Sequence, residues 1–183
     1  ACSGFLYGLT IADQFIRTGM YKNILVVGSE VLHNFVSYKD RETCILFGDG
    51  AGAFVVSRAN ENDKNVILSS HIQAEGSLSD LLVVNGLGSK IPRNSDFYKE
   101  EDGFVKMKGR EIFKNAVRVM SACAQKALED NNAKIEDVSW LVPHQANKRI
   151  IDAVGNEINI EEGKTLINIE NDGNTIAATI PLC

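Results

Sequence analysis

Apolar residues recur at helical spacing from Phe5 to Ile16, through Leu9, Ile11, Ala12 and Phe15. Gly19 follows as a stop, so the pattern predicts a helix over 5–18. The next apolar run, Ile24-Leu25-Val26-Val27, is continuous and bounded by polar residues and Gly28, which predicts a parallel strand buried on both faces. Helix followed by buried strand is the grammar of an α/β domain. Residues 33–43 are polar and aromatic and read as a loop. A glycine cluster, Gly48-x-Gly50-x-Gly52, then runs into the strand-like Phe54-Val55-Val56.

Residues 58–65 are wholly polar apart from Ala59 and mark the best internal boundary. Val66 to Ala74 reads as a strand carrying His71. Over 75–102 there is little periodicity beyond Leu81-Leu82-Val83-Val84. A stretch of that length predicts cover for a site or a partner surface. The strongest helix lies at 110–129, where Phe113, Ala116, Val117, Met120, Cys123, Ala124 and Ala127 step by three and four. That stripe predicts a core face with a structural Cys123, and it leaves Lys114 and Arg118 on the opposite side. Strands are predicted at 138–142 and 165–169. The first feeds a helix with Ile150, Ile151 and Val154 inward, and the second feeds a small-residue helix from Ile176.

Composition narrows the class. The 183 residues are 44% apolar and 23% charged, ordinary for a globular chain with a real core. Nineteen Lys and Arg against 24 Asp and Glu give a net charge of -5, which argues against a general nucleic-acid binder. No apolar run is long enough to span a bilayer, and no signal peptide is visible. Cys2, Cys44, Cys123 and Cys183 form no short ligand cluster, so neither a zinc site nor a disulfide framework is expected. A reducing, cytoplasmic setting fits.

The chemistry-bearing residues stand at element junctions. Cys2 sits at or just before a helix start, where free N–H groups and the dipole favour a thiolate. His144 lies at a strand-to-helix crossover, and Asn174 has the same kind of address beyond Gly173. A Cys, a His and an Asn on loops of an α/β scaffold are the parts for nucleophilic acyl chemistry. Each alone has a plainer reading: a buried cysteine, a satisfied structural histidine, a helix cap. Gly48-x-Gly50-x-Gly52 is no nucleotide loop, because a strand and not a helix follows it. It predicts backbone that must pack without room for side chains.

Taken together, six segments resemble one family. They are Ala1-Cys2-Ser3-Gly4-Phe5, Asp40-Arg41-Glu42-Thr43-Cys44, Leu46-Phe47-Gly48-Asp49-Gly50-Ala51-Gly52-Ala53, Met107-Lys108-Gly109-Arg110-Glu111-Ile112-Phe113-Lys114, His144-Gln145-Ala146-Asn147-Lys148-Arg149-Ile150 and Gly173-Asn174-Thr175. In this order and spacing the chain resembles the beta-ketoacyl-acyl carrier protein synthase III condensing enzymes of the thiolase superfamily. The resemblance implies an α/β protein of the duplicated, five-layered α/β/α/β/α thiolase fold. The chain would then be an incomplete segment, lacking the N-terminal strands and the C-terminal end. Residues 1–57 would be the latter part of the first half and 58–183 most of the second. An unpaired sheet edge beside the nucleophile predicts that the segment does not fold alone.

The resemblance also implies a reaction. Cys2 would take an acyl group from coenzyme A, and His144 and Asn174 would polarise a malonyl thioester during its decarboxylation. Arg41 would meet the adenine end of coenzyme A, and Lys114 and Arg149 would dock an acidic carrier protein. The implied partners are an acyl-CoA primer, probed first as acetyl-CoA, malonyl-acyl carrier protein and a second copy in a homodimer. Nucleic acid, membrane, metal and a permanently bound cofactor are not implied. The chain departs from the family where Tyr38 replaces a frequent Trp, where Asn171-Asp172 precedes Gly173, and at Thr175-Ile176-Ala177-Ala178-Thr179. A relative serving a specialised polyketide or lipid pathway would keep the same three residues and vary these. A catalytically silent carrier-binding subunit is the alternative from another class.

Overall fold

A computed structural model describes all residues, 1–183. The first helix, α1 (Gly4–Arg17), begins behind Ser3, whose side chain makes no capping bond. It packs Phe5 and Ala12 on Val26 of β1 (Asn23–Glu30), with Leu9, Ile24, Val56 and Ile180 completing that core. The Phe5 ring meets Phe54 edge to face at 5.2 Å. β2 (Gly50–Ser57) pairs with β1 in antiparallel register, with Val26 opposite Phe54 and Gly28 opposite Gly52.

That pairing corrects one expectation. The apolar run at 24–27 is not a parallel strand buried on both faces. Its residues alternate: Val26 is buried, while Leu25 and Val27 are 63% and 55% exposed. Only the face toward α1 is covered. The opposite face keeps Leu25, Val27 and Val55 bare.

Residues 58–65 are exposed and irregular, as a polar connector should be. The strand expected at 66–74 is absent. Its backbone forms no ladder and is held by side chains instead: Arg17 donates to the Ile67 carbonyl at 2.8 Å, and Asn131 donates to Ser69 at 2.8 Å. A strand needs a partner strand, and none lies alongside. The strands expected at 138–142 and 165–169 shrink, for the same reason, to a single parallel bridge between Leu141 and Thr165. Within the long aperiodic stretch, Leu82–Val84 forms β3, which pairs antiparallel with β4 (Val105–Met107), a strand the sequence pattern did not mark.

α2 (Gly109–Asp130) extends the expected helix by a residue at each end. Its apolar stripe is not a closed core face. Ser121 is its only fully buried residue, and Phe113, Ala116, Met120, Cys123 and Ala127 line a cavity instead. α2 packs on α3 (Lys148–Glu157), whose Ile150, Ile151 and Val154 are buried as the spacing predicts. Asn147 caps α3 by accepting the Arg149 N–H at 2.9 Å. The chain continues through α4 (Ile169–Asp172), a short 3-10 turn at 176–178 and α5 (Thr179–Leu182), which lies against β2.

The glycine cluster explains how that last segment seats. A Cβ on Gly48 would lie 2.2 Å from the Asp172 carbonyl oxygen, and one on Gly52 would lie 2.9 Å from Pro181. The strand and the 172–182 segment therefore meet backbone to backbone, which only glycine permits.

Candidate active site

Cys2 is half-buried in the turn before α1, two residues ahead of its first helical residue. The helix-start address is as the sequence predicts, but its electrostatic consequence is not. Burial among apolar side chains pushes the Cys2 thiol above its ordinary value of 9.0, and the nearby Glu30 carboxylate adds to the rise. At neutral pH the sulfur is therefore a thiol, and the proton has to leave during attack.

Asn174 is placed by the glycine contacts. Its N–H donates to the Leu46 carbonyl at 2.7 Å, and its carbonyl accepts the Gly48 N–H at 3.1 Å. Gly173, at φ +69°, turns the chain into that position. The side chain is 6% exposed, and its Oδ1 accepts the Ile176 N–H at 3.0 Å. That bond assigns the amide orientation and leaves Nδ2 as the outward donor. Ile176 itself holds φ +53°, a strained value for a β-branched residue, immediately beside the amide it orients.

His144 follows the buried Pro143, ahead of α3. Desolvation lowers its pKa to about 4, so the ring is neutral at physiological pH. Its loop is fixed by Gln145, which is fully buried. The Gln145 amide donates to the Pro143 and Leu166 carbonyls, and its oxygen accepts the Asn168 N–H at 3.0 Å. Sequence reasoning missed this residue. Its one signal is adjacency to His144, since its partners other than Pro143 lie more than twenty positions away.

Cys2, His144 and Asn174 all line one largely apolar cavity of about 680 Å³. Cys2 also borders a second cavity of about 280 Å³, lined by Leu32, Phe35, Phe47, Val84 and Ile176. The sulfur thus stands at the junction of two apolar spaces, one of which carries the neutral His and the amide. Arg41 is not on either wall. It lies exposed on the loop between β1 and β2. Lys114 on α2 and Arg149 on α3 are exposed and have no acidic partner. No group of three or more His, Cys, Asp or Glu side chains is arranged to hold a metal. No helix is long and apolar enough to cross a membrane.

Residues 1–76 match the family model described as 3-Oxoacyl-[acyl-carrier-protein (ACP)] synthase III, and residues 128–183 match the model of its C-terminal part. The chain belongs to this family. It is 47% identical over 182 residues to the beta-ketoacyl-[acyl-carrier-protein] synthase III of Aquifex aeolicus strain VF5, covering all of this chain and 53% of that one. The crystal structure of the Aquifex aeolicus synthase III superposes with a TM-score of 0.86, covering 54% of that chain. The priming beta-ketosynthase of the R1128 polyketide biosynthetic pathway superposes at 0.82 with 29% identity, over 99% of this chain and 53% of that one. The chain has the family's thiolase-like α/β fold and spans about half the length of these relatives.

Proposed function

We propose that the intact protein is a decarboxylating condensing enzyme that joins an acyl-CoA primer to malonyl-acyl carrier protein and initiates fatty-acid synthesis. The observation that carries the reading is the convergence of Cys2, His144 and Asn174 on one apolar cavity, with Cys2 also opening onto a second. In the first half-reaction, Cys2 Sγ attacks the primer thioester. A sulfur–carbon bond forms, the bond to the coenzyme A sulfur breaks, and the thiol proton ends on free coenzyme A. In the second half-reaction, malonyl thioester loses carbon dioxide. The enolate oxygen is held by two neutral donors, His144 Nε2–H and Asn174 Nδ2–H. The enolate carbon then attacks the acyl carbonyl and releases Cys2, which recovers a proton. The apolar walls keep water from the carbanion.

Family resemblance assigns Arg41 to the nucleotide end of coenzyme A. The unpaired Lys114 and Arg149, on packed neighbouring helices, supply positive charge for an acidic carrier. A homodimer is part of the same reading. The departures at Tyr38, Asn171-Asp172 and Ile176 support a second reading, in which the same chemistry serves a specialised polyketide or lipid pathway.

Intact-mass measurement after mixing the full-length protein with acetyl-CoA tests the first half-reaction. The expected result is a gain of one acetyl group that is lost in Cys2→Ala. A gain with longer or branched primers alone moves the role to the specialised pathway. No gain with any primer removes the enzymatic reading.

A further inference from the structure

The segments at 141 and 165 begin a parallel ladder and then lose it. Leu141 donates its N–H to the Lys164 carbonyl at 2.8 Å, and its carbonyl accepts the Leu166 N–H at 2.9 Å. The next rung would come from residue 143, its N–H on the Leu166 carbonyl and its carbonyl on the Asn168 N–H. That residue is Pro143, which has no N–H to give. The Gln145 side chain takes its place. Nε2 donates to the Leu166 carbonyl at 3.1 Å and Oε1 accepts the Asn168 N–H at 3.0 Å, the two groups a peptide rung would meet. The second Nε2 hydrogen goes to the Pro143 carbonyl at 3.0 Å, and Oε1 also takes the Ile169 N–H at 3.3 Å. A primary amide has two hydrogens to give and two lone pairs to receive with, and all four are used. The residue is fully buried. It stands between the two chain segments as an inserted rung that fixes their spacing.

Each segment carries one of the two donors. On one side, His144 lies between Pro143 and Gln145 in the chain, and the Gln145 amide is bonded back to Pro143. Thr179, 2.7 Å from Nδ1, holds the ring but not the backbone that carries it. On the other side, Asn168 and Ile169 open α4. The Asn168 carbonyl accepts the Asn171 and Asp172 N–H groups, the Ile169 carbonyl accepts the Gly173 N–H, and Asn174 follows directly. We propose that Gln145 is a positioning residue that sets the separation of His144 and Asn174, so that both donors reach one malonyl thioester oxygen. The inference rests on the condensing-enzyme reading above. Decarboxylation is the half that needs the two donors in register, because the enolate oxygen gains its charge between them. Cys2 stands on the turn before α1, which shares no hydrogen bond with the Gln145 network. Acyl transfer to its sulfur therefore does not depend on that register.

The test follows acetylation of Cys2 and carbon dioxide release from malonyl carrier protein separately, in full-length Gln145→Leu and Gln145→Glu. Leucine removes the rung and lets the two segments shift, which lowers carbon dioxide release by about a hundredfold. Acetylation stays within a few-fold of the parent. In an Asn174→Ala background the second donor is already gone, so adding Gln145→Leu costs only a few-fold more. A residue that merely supports the fold would slow both halves together and would cost as much in either background. Parental carbon dioxide release in the leucine variant, equal losses in the two halves, or an undiminished loss beside Asn174→Ala overturns the proposal. Should leucine fail to fold, glutamate decides. As a buried neutral acid it keeps the acceptor for Asn168 and Ile169 but has one hydrogen for two carbonyls. Its carbon dioxide release falls by about tenfold while acetylation again stays within a few-fold. Parental release or equal losses in that variant overturns the proposal. A wild-type protein that yields neither acetyl-Cys2 nor carbon dioxide overturns the condensing-enzyme reading itself. A wild type that performs both halves, beside variants that match it, removes the role of Gln145 alone.

Discussion

At the scale of single residues, the site is built from groups whose charges burial suppresses. Cys2 is kept as a thiol and His144 as a neutral ring, both chiefly by desolvation. The histidine carries a measurable cost. Its folded pKa of about 4 lies below the ordinary 6.5, so between these values the unfolded chain binds a proton that the folded one does not. Stability is therefore fully present above about pH 6.5 and falls as the pH drops through that window, by up to about 3 kcal/mol. Thermal unfolding of the intact protein between pH 7 and pH 4 checks this, and His144→Gln flattens that part of the profile. Cys2, His144 and Asn174 were legible in the sequence because each stands at a junction between an apolar run and a turn. Gln145 was not. Its role comes from the carbonyls and the N–H group that the fold sets opposite it, most of them distant in the chain.

Among elements, the β1–β2 hairpin and the 172–182 segment are the decisive pair. Their contact closes on Gly48, Gly50 and Gly52, where a Cβ would meet the Asp172 carbonyl, the Thr175 and Leu182 side chains, and Pro181, and it places Asn174. Gly48→Ala sets a methyl 2.2 Å from the Asp172 carbonyl oxygen. The expected loss is about 3 kcal/mol of stability, together with the condensation rate. Gly76→Ala has open space around it and should stay within about 0.5 kcal/mol of the parent. Denaturation midpoints and rates of the two variants of the full-length protein check the pair. The helices α1, α2 and α3 were readable because helical periodicity is a local property. The strands at 66–74, 138–142 and 165–169 were not realised, because apolar runs announce burial while a ladder requires a neighbour elsewhere in the chain.

Over the whole molecule, charge and apolar surface divide the work. Lys114 and Arg149 stand exposed and unpaired on a chain of net charge -5. Reversing both to Glu raises KM for the malonyl carrier by about tenfold at low salt, and the effect shrinks as ionic strength rises. Steady-state rates at two salt concentrations check this. The apolar surface tells a different story. Only 23 of 183 residues are buried, and Leu25, Val27 and Val55 form a bare stripe on the outer face of the hairpin. The sequence pattern at 24–27 was that of a strand covered on both sides, so the composition of this strand is matched to more covering surface than the 183 residues provide.

The seating of the 172–182 segment on the hairpin has a consequence in time. The Ala177 N–H reaches the Glu30 carboxylate across 147 positions of chain. Contacts of such separation are closed late, after local helices and hairpins have formed. Until then Cys2 is an ordinary accessible thiol with no histidine or amide beside it. On the function proposed above, the nucleophile is made early and armed last, so a partly folded chain holds no competent site with which to capture an acyl group.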